Sequence, residues 1–384
     1  MKYLICCDSF KGSLDAPGVC RAAADGILAC SPDSEVVCLP LADGGEGSAE
    51  AVMSELGGEC VTESVCDPFG NPAQGYIGLC PERSLAVIDT AAASGIGLTK
   101  KYPSFACGGI MNASTWGTGM QIRSAIERGY RNIIVGLGGS GTNDGGIGAA
   151  GALGMKFYAS DGAELDPRGG ASLLSEVASV SDSGLFDGLR GVELTLIFDV
   201  AIPLTGKRGC SVNFAPQKGA SDAEVKLLDR SMASFAGVCA RSLGRDLSAI
   251  DGAGAAGGLG FGLSLVGGKL KPGADFILDV CGFDAHASDA DVIITGEGKC
   301  DFQTAEGKLP ACVASRARRV SRAAVVCICG VSRPVDKFYE IGADAVFAIA
   351  DGPMTAEESG ERCAELVRKV SFNIAGFAGA LRRR

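Results

Sequence analysis

Five acidic residues stand at the carboxyl ends of short apolar runs along this chain: Asp8, Asp43, Asp144, Asp199 and Glu297. In open α/β sheets that edge is where ligands bind. One carboxylate there serves equally well as a helix cap or a loop brace. Five of them, with Lys11, Lys218 and Lys308 in loops of the same kind, suit a joint metal and phosphate site. Mg²⁺ takes one or two carboxylates and shares itself with substrate phosphates. Lysines neutralise charge on a phosphoryl group in transit.

The loops that carry these acids are rich in glycine, which numbers 57 of 384 residues. That is about twice the usual share. No G-x-x-x-x-G-K-[ST] occurs, so a Walker-type cradle is excluded. Two G-x-G-x-x-G matches do occur, Gly136-Leu137-Gly138-Gly139-Ser140-Gly141 and Gly252-Ala253-Gly254-Ala255-Ala256-Gly257. The first follows an apolar run and has Asp161 twenty residues on, as a dinucleotide fingerprint would. Its loop nevertheless continues through Thr142-Asn143-Asp144-Gly145-Gly146, so the next helix begins late, with Asn143 or Asp144 as its cap. Exposed glycine amides ending in a helix N-terminus suit an anionic group in either case. An NAD(P)-dependent dehydrogenase therefore stays as the enzyme alternative, and a non-catalytic metabolite-binding regulator as the other class.

Bulk properties narrow the field. The chain carries 35 basic and 45 acidic residues, a net charge of −10. Nucleic-acid binding needs a basic face, and the short tail Arg382-Arg383-Arg384 reads as a solvated terminus. No stretch approaches the roughly 18 unbroken apolar residues of a membrane span. The N-terminal apolar run is too short for a secretion signal. The expectation is a soluble cytoplasmic protein. Its 17 cysteines include no C-x-x-C pair, and Cys6, Cys7, Cys327 and Cys329 lie in apolar runs as small hydrophobes. The single histidine, His286, sits away from every glycine loop and reads as structural. Any proton transfer falls to a carboxylate.

These residues need elements to hold them. Residues 3–7, 36–39, 291–295, 324–328 and 345–349 read as strands, with a helix over 17–30 that has proline in its first turn. Strands alternating with helices indicate a parallel sheet covered on both faces. Residues 60–110 carry turn signals, Asp67-Pro68-Phe69-Gly70-Asn71-Pro72 among them, and suggest antiparallel hairpins. Residues 133–136 read as a central parallel strand. The fold class expected is α/β in two domains. A discontinuous doubly wound parallel-sheet domain spans 1–58, 112–155 and 286–384. A second α/β domain is inserted as 59–111 and 156–285, with a cleft between the two.

At the loops the sequence resembles the type-1 glycerate kinase family. Asp8-Ser9-Phe10-Lys11-Gly12-Ser13 is similar to the family's opening signature. Asp43-Gly44-Gly45-Glu46-Gly47, Ala91-Ala92-Ala93-Ser94-Gly95 and Gly117-Thr118-Gly119 follow in the family's order. So do Gly138-Gly139-Ser140-Gly141-Thr142-Asn143-Asp144-Gly145-Gly146, Pro216-Gln217-Lys218-Gly219, Gly252-Ala253-Gly254-Ala255-Ala256-Gly257-Gly258 and Thr295-Gly296-Glu297-Gly298. The likeness runs from residue 1 to about residue 370. Three positions depart from the pattern. Ile202 replaces a usual asparagine in Asp199-Val200-Ala201-Ile202-Pro203-Leu204, Phe302 replaces glycine in Asp301-Phe302-Gln303-Thr304, and Cys7 stands where proline or alanine is common.

The resemblance implies phosphorylation of D-glycerate by ATP with Mg²⁺, giving 2-phosphoglycerate, in an active site between two α/β domains, the discontinuous one flavodoxin/Rossmann-like. Under that implication Asp199 is the first candidate to orient or deprotonate the attacking hydroxyl, with Asp43 second. Lys11 would stabilise the transferring phosphoryl group or grip the substrate carboxylate. Asp8, Ser9, Lys218, Gly138, Gly139, Ser140, Asn143, Asp144, Gly254 and Gly257 are candidates for binding substrate or phosphate. Glu297 and Asp301 are candidates for metal or nucleotide. The partner is a small molecule, not nucleic acid or membrane, and the sequence permits a homodimer without specifying one.

Overall fold

The computed structural model describes residues 1–101, 109–302, 304–333 and 336–382. Gln303, Cys107 and the tail residues Arg383 and Arg384 lie outside the described residues. Strands run in chain order as β1 (Lys2–Cys7), β2 (Glu35–Cys38), β3 (Glu59–Cys66), β4 (Pro72–Cys80), β5 (Leu85–Asp89) and β6 (Asn132–Gly136). They continue as β7 (Lys156–Tyr158), β8 (Ser179–Ser181), β9 (Glu193–Phe198), β10 (Lys269–Pro272), β11 (Val292–Cys300), β12 (Ala324–Ser332) and β13 (Ala345–Ala348). The chain divides into two compact units. One is Met1–Asp43, Glu50–Gly57 and Gly273–Arg384; the other is Gly44–Ala49 and Gly58–Pro272.

In the first unit a five-stranded sheet has the order β2-β1-β11-β12-β13, and every pairing is parallel. β1 and the first part of β11 are buried on both faces, which is why they read as unbroken apolar runs. The chain leaves β1 towards β2 on one side, and leaves β11 towards β12 and β13 on the other. This is the flavodoxin-type order, with its switch point between β1 and β11. The register pairs Cys7 with Gly296, and the Asp8 amide donates to the Gly296 carbonyl at 2.9 Å. Asp8 and Glu297 therefore emerge side by side at that point.

The helix Ala16–Cys30 starts because the Asp15 carboxylate accepts the Gly18 amide at 2.8 Å. It packs on the helix Cys363–Arg382 so closely that a Cβ on Gly26 would lie 2.1 Å from the Arg368 carbonyl oxygen.

In the second unit a six-stranded sheet has the order β10-β9-β6-β5-β4-β3. The pairs from β10 to β5 are parallel, while β5, β4 and β3 form antiparallel hairpins. The β3–β4 turn is the one the sequence suggests: Asp67 accepts the amides of Phe69 and Asn71 at 2.9 and 3.0 Å. β7 and β8 form a separate two-stranded sheet. Phe235 sits in the core between Phe157 and Phe261, with ring centroids 6.0 and 5.9 Å away.

The parallel strands and the terminal sheet follow the sequence reading, but the domain bounds do not. Residues 112–155, expected in the first unit, belong to the second because β6 lies between β5 and β9. Residues 273–285 belong to the first unit rather than the inserted one, and Gly44–Ala49 to the second. The physical reason is that a strand buried on both faces fits the centre of any parallel sheet, so its apolar run does not name its neighbours.

The close helix contact gives a direct check. Gly26→Ala should destabilise the protein by about 1–3 kcal/mol in thermal or urea unfolding, because a backbone carbonyl must move. Gly376→Ala on the partner helix has its nearest neighbour at 3.4 Å, the Cys30 Sγ, and should be neutral or slightly stabilising. Equal stability of the two variants would contradict this packing.

Candidate active site

The first unit gathers acids around the switch point. The loop after β1 is a tight one: the Phe10 amide donates to the Leu14 carbonyl at 2.8 Å, and the Leu14 amide returns to Phe10 at 3.1 Å. Phe10 is buried in the core, which leaves Lys11 exposed at the tip. Asp8 is buried and accepts the Ser9 amide at 2.6 Å. Burial and the neighbouring Asp43 push the Asp8 carboxyl up to about 8; the Ser9 amide and Lys11 act against this, and Glu297 adds to it. Asp43 reaches the same edge because Leu39 and Leu41 continue the ladder onto the Ile5 and Cys7 carbonyls.

Glu297 is also buried, accepts the Thr304 hydroxyl, and has Lys308 Nζ 3.4 Å away. Burial holds its carboxyl above the usual range against those two partners. Asp301 pairs with Lys299 at 2.6 Å, and its amide donates to Thr304 Oγ1 at 3.0 Å. Thr304 thus links the two acids. Among the described residues no three His, Cys, Asp or Glu side chains are arranged to hold a metal ion alone. The buried excess of negative charge suits a cation whose other positions are filled by ligand oxygens.

The second unit knits the glycine motifs together by their backbones. The Ile96 amide donates to Gly139 at 2.9 Å and the Gly141 amide to Ser94 at 2.8 Å, joining the loop after β5 to the loop after β6. Ser94 and Thr118 hydroxyls lie 2.8 Å apart. The Gly138 amide donates to Gly44 at 2.9 Å, the Gly145 amide to Gly257 at 3.0 Å, and the Gly254 amide to Ile202 at 3.0 Å. Such approaches leave no room for side chains: a Cβ on Gly257 would lie 2.2 Å from the Thr142 oxygen, and one on Gly138 2.5 Å from the Gly45 Cα. These glycines serve loop-to-loop packing.

Lys218 is buried in this network, donating to Ser140 Oγ at 2.8 Å and to the Thr142 carbonyl at 2.7 Å. Asn143 donates from Nδ2 to Ser211 Oγ at 2.9 Å, while Asn143 Oδ1 and Thr142 Oγ1 are buried without a protein partner. Asp144 accepts the Thr115 amide and hydroxyl, both at 2.8 Å, and the Gly146 and Gly148 amides at 3.0 and 3.3 Å. The N-cap position of the short helix Ile147–Ala152 is Gly146, not Asn143 or Asp144 as expected, and Asp144 instead braces the loop that leads into it. Asp199 stands exposed just beyond β9.

The dinucleotide reading loses its context here. After the helix Ile147–Ala152 the chain enters β7, outside the main sheet, and Asp161 is an exposed turn residue that accepts the Ala163 amide at 3.0 Å. A Rossmann fingerprint requires the next strand to lie beside the first. His286 is a partly exposed residue whose Nε2 lies 3.3 Å from Glu55 Oε1. Sequence reasoning missed Asp89, which is buried at the end of β5 and accepts the Gly47 and Ala49 amides and the Tyr76 hydroxyl. It closes the apolar run 85–88 just as Asp8 closes its own, so the same rule applied evenly would have found it.

Lys218 supplies a pH test. Burial drives its ammonium from 10.5 down to about 8, with Cys210 and Asp144 resisting. A depressed lysine binds its proton less well in the folded chain than in the unfolded one. Stability therefore rises as pH climbs from about 8 to 10.5, by at most roughly 3 kcal/mol. Wild type should gain on Lys218→Met in unfolding measurements across that window; a constant gap would refute the assignment.

Comparison with known proteins agrees with these motifs. The model of the glycerate kinase family matches residues 3–378. The chain is 38% identical over 379 residues to a glycerate kinase of Bacillus subtilis (strain 168), covering 98% of this chain and 97% of that one. It is 35% identical to a glycerate 2-kinase of Escherichia coli (strain K12), with the same coverage. A crystal structure described as a glycerate kinase 2 from Salmonella typhimurium LT2 aligns over 100% of both chains, with a TM-score of 0.86 and 37% identity. This chain belongs to the glycerate kinase family.

Proposed function

We propose that the protein transfers the γ-phosphoryl group of ATP to the C2 hydroxyl of D-glycerate, in the cytoplasm and with Mg²⁺. The observation that carries this reading is the buried group of Asp8, Asp43 and Glu297 beside Lys11, at the switch point of a parallel sheet. Excess negative charge there favours a cation, and the exposed lysine favours an anion. A metal–nucleotide supplies one and an anionic substrate the other.

Positioning and charge stabilisation carry most of the catalysis in such a transfer. The substrate hydroxyl oxygen bonds to the γ-phosphorus as the bond to the β-phosphate oxygen breaks, and ADP leaves. The hydroxyl proton passes to a carboxylate, Asp199 as first candidate and Asp43 as second. Lys11 stabilises the moving phosphoryl group or grips the glycerate carboxylate. Glu297 and Asp301 are assigned to metal or nucleotide, and Mg²⁺ when bound neutralises charge on the phosphates. Lys218, Ser140 and Asn143, with the glycines that position them, are assigned to substrate or phosphate. Asp144 is assigned a bracing role through its four hydrogen bonds.

Attack from C2 places the nucleophile next to the carboxylate, so one lysine contact also fixes the reacting oxygen. Attack from C3 leaves an extra rotatable bond to hold. ADP release by pure protein should require both D-glycerate and a divalent metal, and added enolase should convert the product directly to phosphoenolpyruvate. ADP release indifferent to glycerate would sink the substrate assignment. Phosphoenolpyruvate that appears only after a phosphoglycerate mutase is added would overturn the regiochemistry.

Asp199→Asn and Lys11→Met should each lower kcat by on the order of 10²-fold or more while the proteins stay folded. Near-normal kcat in Asp199→Asn moves the base role to Asp43. His286→Ala should keep its activity, and a large loss there would overturn the structural reading of that residue.

A further inference from the structure

The helix Ser48–Leu56 begins without help from its own first residue. The Ser48 hydroxyl donates to the Gly45 carbonyl at 2.7 Å, and the first amides of the helix need an acceptor. That acceptor comes from a strand 40 residues on. Asp89 takes the Gly47 amide on Oδ2 at 2.9 Å and the Ala49 amide on Oδ1 at 3.1 Å, and the Tyr76 hydroxyl donates to the same carboxylate at 2.7 Å. Asp89 is about 1% exposed, so these hydrogen bonds are made out of water, where a charged acceptor is strong. Its position is fixed by β5, whose register sets Asp89 against Gly136 of β6.

The segment gripped in this way is short, and its first two residues pack backbone against backbone on Gly136 and Gly138. It carries no large apolar side chain, and Gly44 and Gly47 both have positive φ, 98° and 90°. At its N-terminal end the Gly138 amide also donates to the Gly44 carbonyl. Asp43, a candidate for proton transfer, is bonded directly to the N-terminal end of the segment. The chain crosses from the first unit to the second at Gly44 and returns at Glu50.

We propose that Asp89 and Tyr76 are a positioning pair that clamps the Gly44–Ala49 segment and thereby fixes the backbone that carries Asp43. The catalytic half of this inference rests on the proposed role of Asp43. The clamp itself does not. Asp89 touches no reactant in this scheme; it acts through the loop.

Two measurements on the full chain test it. In amide hydrogen exchange, Gly47 and Ala49 should be protected in wild type and exchange at least about tenfold faster in Asp89→Asn, with a smaller acceleration in Tyr76→Phe. In the glycerate-dependent assay, Asp89→Asn should lower kcat about tenfold or more, with KM for both substrates changed less than about threefold. Tyr76→Phe keeps the ring and should fold, so it carries both tests if Asp89→Asn does not. Adding Asp89→Asn to Asp43→Asn should cost much less than it costs in wild type, because both act on one group.

Unchanged exchange in both variants overturns the clamp. A lower melting temperature with wild-type kcat reduces Asp89 to a structural residue and overturns the positioning role, as do fully multiplicative losses in the double variant. Exchange does not depend on the reaction, so failure of the glycerate assay and failure of the clamp are told apart.

Discussion

The contact on which the second unit depends is backbone on backbone: the Gly145 amide donates to the Gly257 carbonyl at 3.0 Å, with no side chain between the loops. A Cβ on Gly258 would lie 2.7 Å from Gly145 Cα, and one on Gly262 2.5 Å from Gly146 Cα. The high glycine content is therefore mostly a packing requirement, imposed where several loops leave one sheet edge together. Once the loops touch, the polar groups between them lose water, and Lys218 is the main consequence. Its ammonium survives inside because Ser140 and the Thr142 carbonyl accept from it. Those two acceptors belong to the loop it has to hold.

The first unit solves the opposite electrostatic problem. Three acids meet where β1 and β11 diverge, and burial there raises the carboxyls of Asp8 and Glu297. A fold selected only for stability would dilute such a group, since like charges out of water repel. Its presence argues for a ligand that brings positive charge. The second unit instead buries a lysine among neutral acceptors, and burial lowers its hold on the proton.

Much of this was legible in the sequence. Acids at strand ends were legible because a parallel strand stops where its apolar run stops, and Asp8 and Asp199 follow that rule, while Glu297 lies inside β11, which runs on to Cys300. The first sheet was legible because its strands lie at the two ends of the chain. The partners of β6 were not, since Ile133, Ile134 and Val135 are buried wherever they pair. Nor was the fate of Asp144: an acid that braces a loop and one that meets a ligand look alike until the amides around them are counted. Asp89 shows the converse failure, a strand-end acid that sequence reasoning passed over because no signature quoted it.

The departures from the family pattern yield to the same physics. Ile202 stands where asparagine is usual, yet its carbonyl accepts the Gly254 amide at 3.0 Å and its side chain packs on the core of the second unit. The bond between those loops is made by backbone, so the fold tolerates any side chain that fits, and only a ligand contact would notice the change. Phe302 is different. It is 66% exposed, between a buried Asp301 and a residue of the same motif, and it packs on no described core. An aromatic ring left in water at the edge of a charged loop adds nothing to folding there. Of the two, Ile202 is explained by packing, while nothing in the structure explains Phe302.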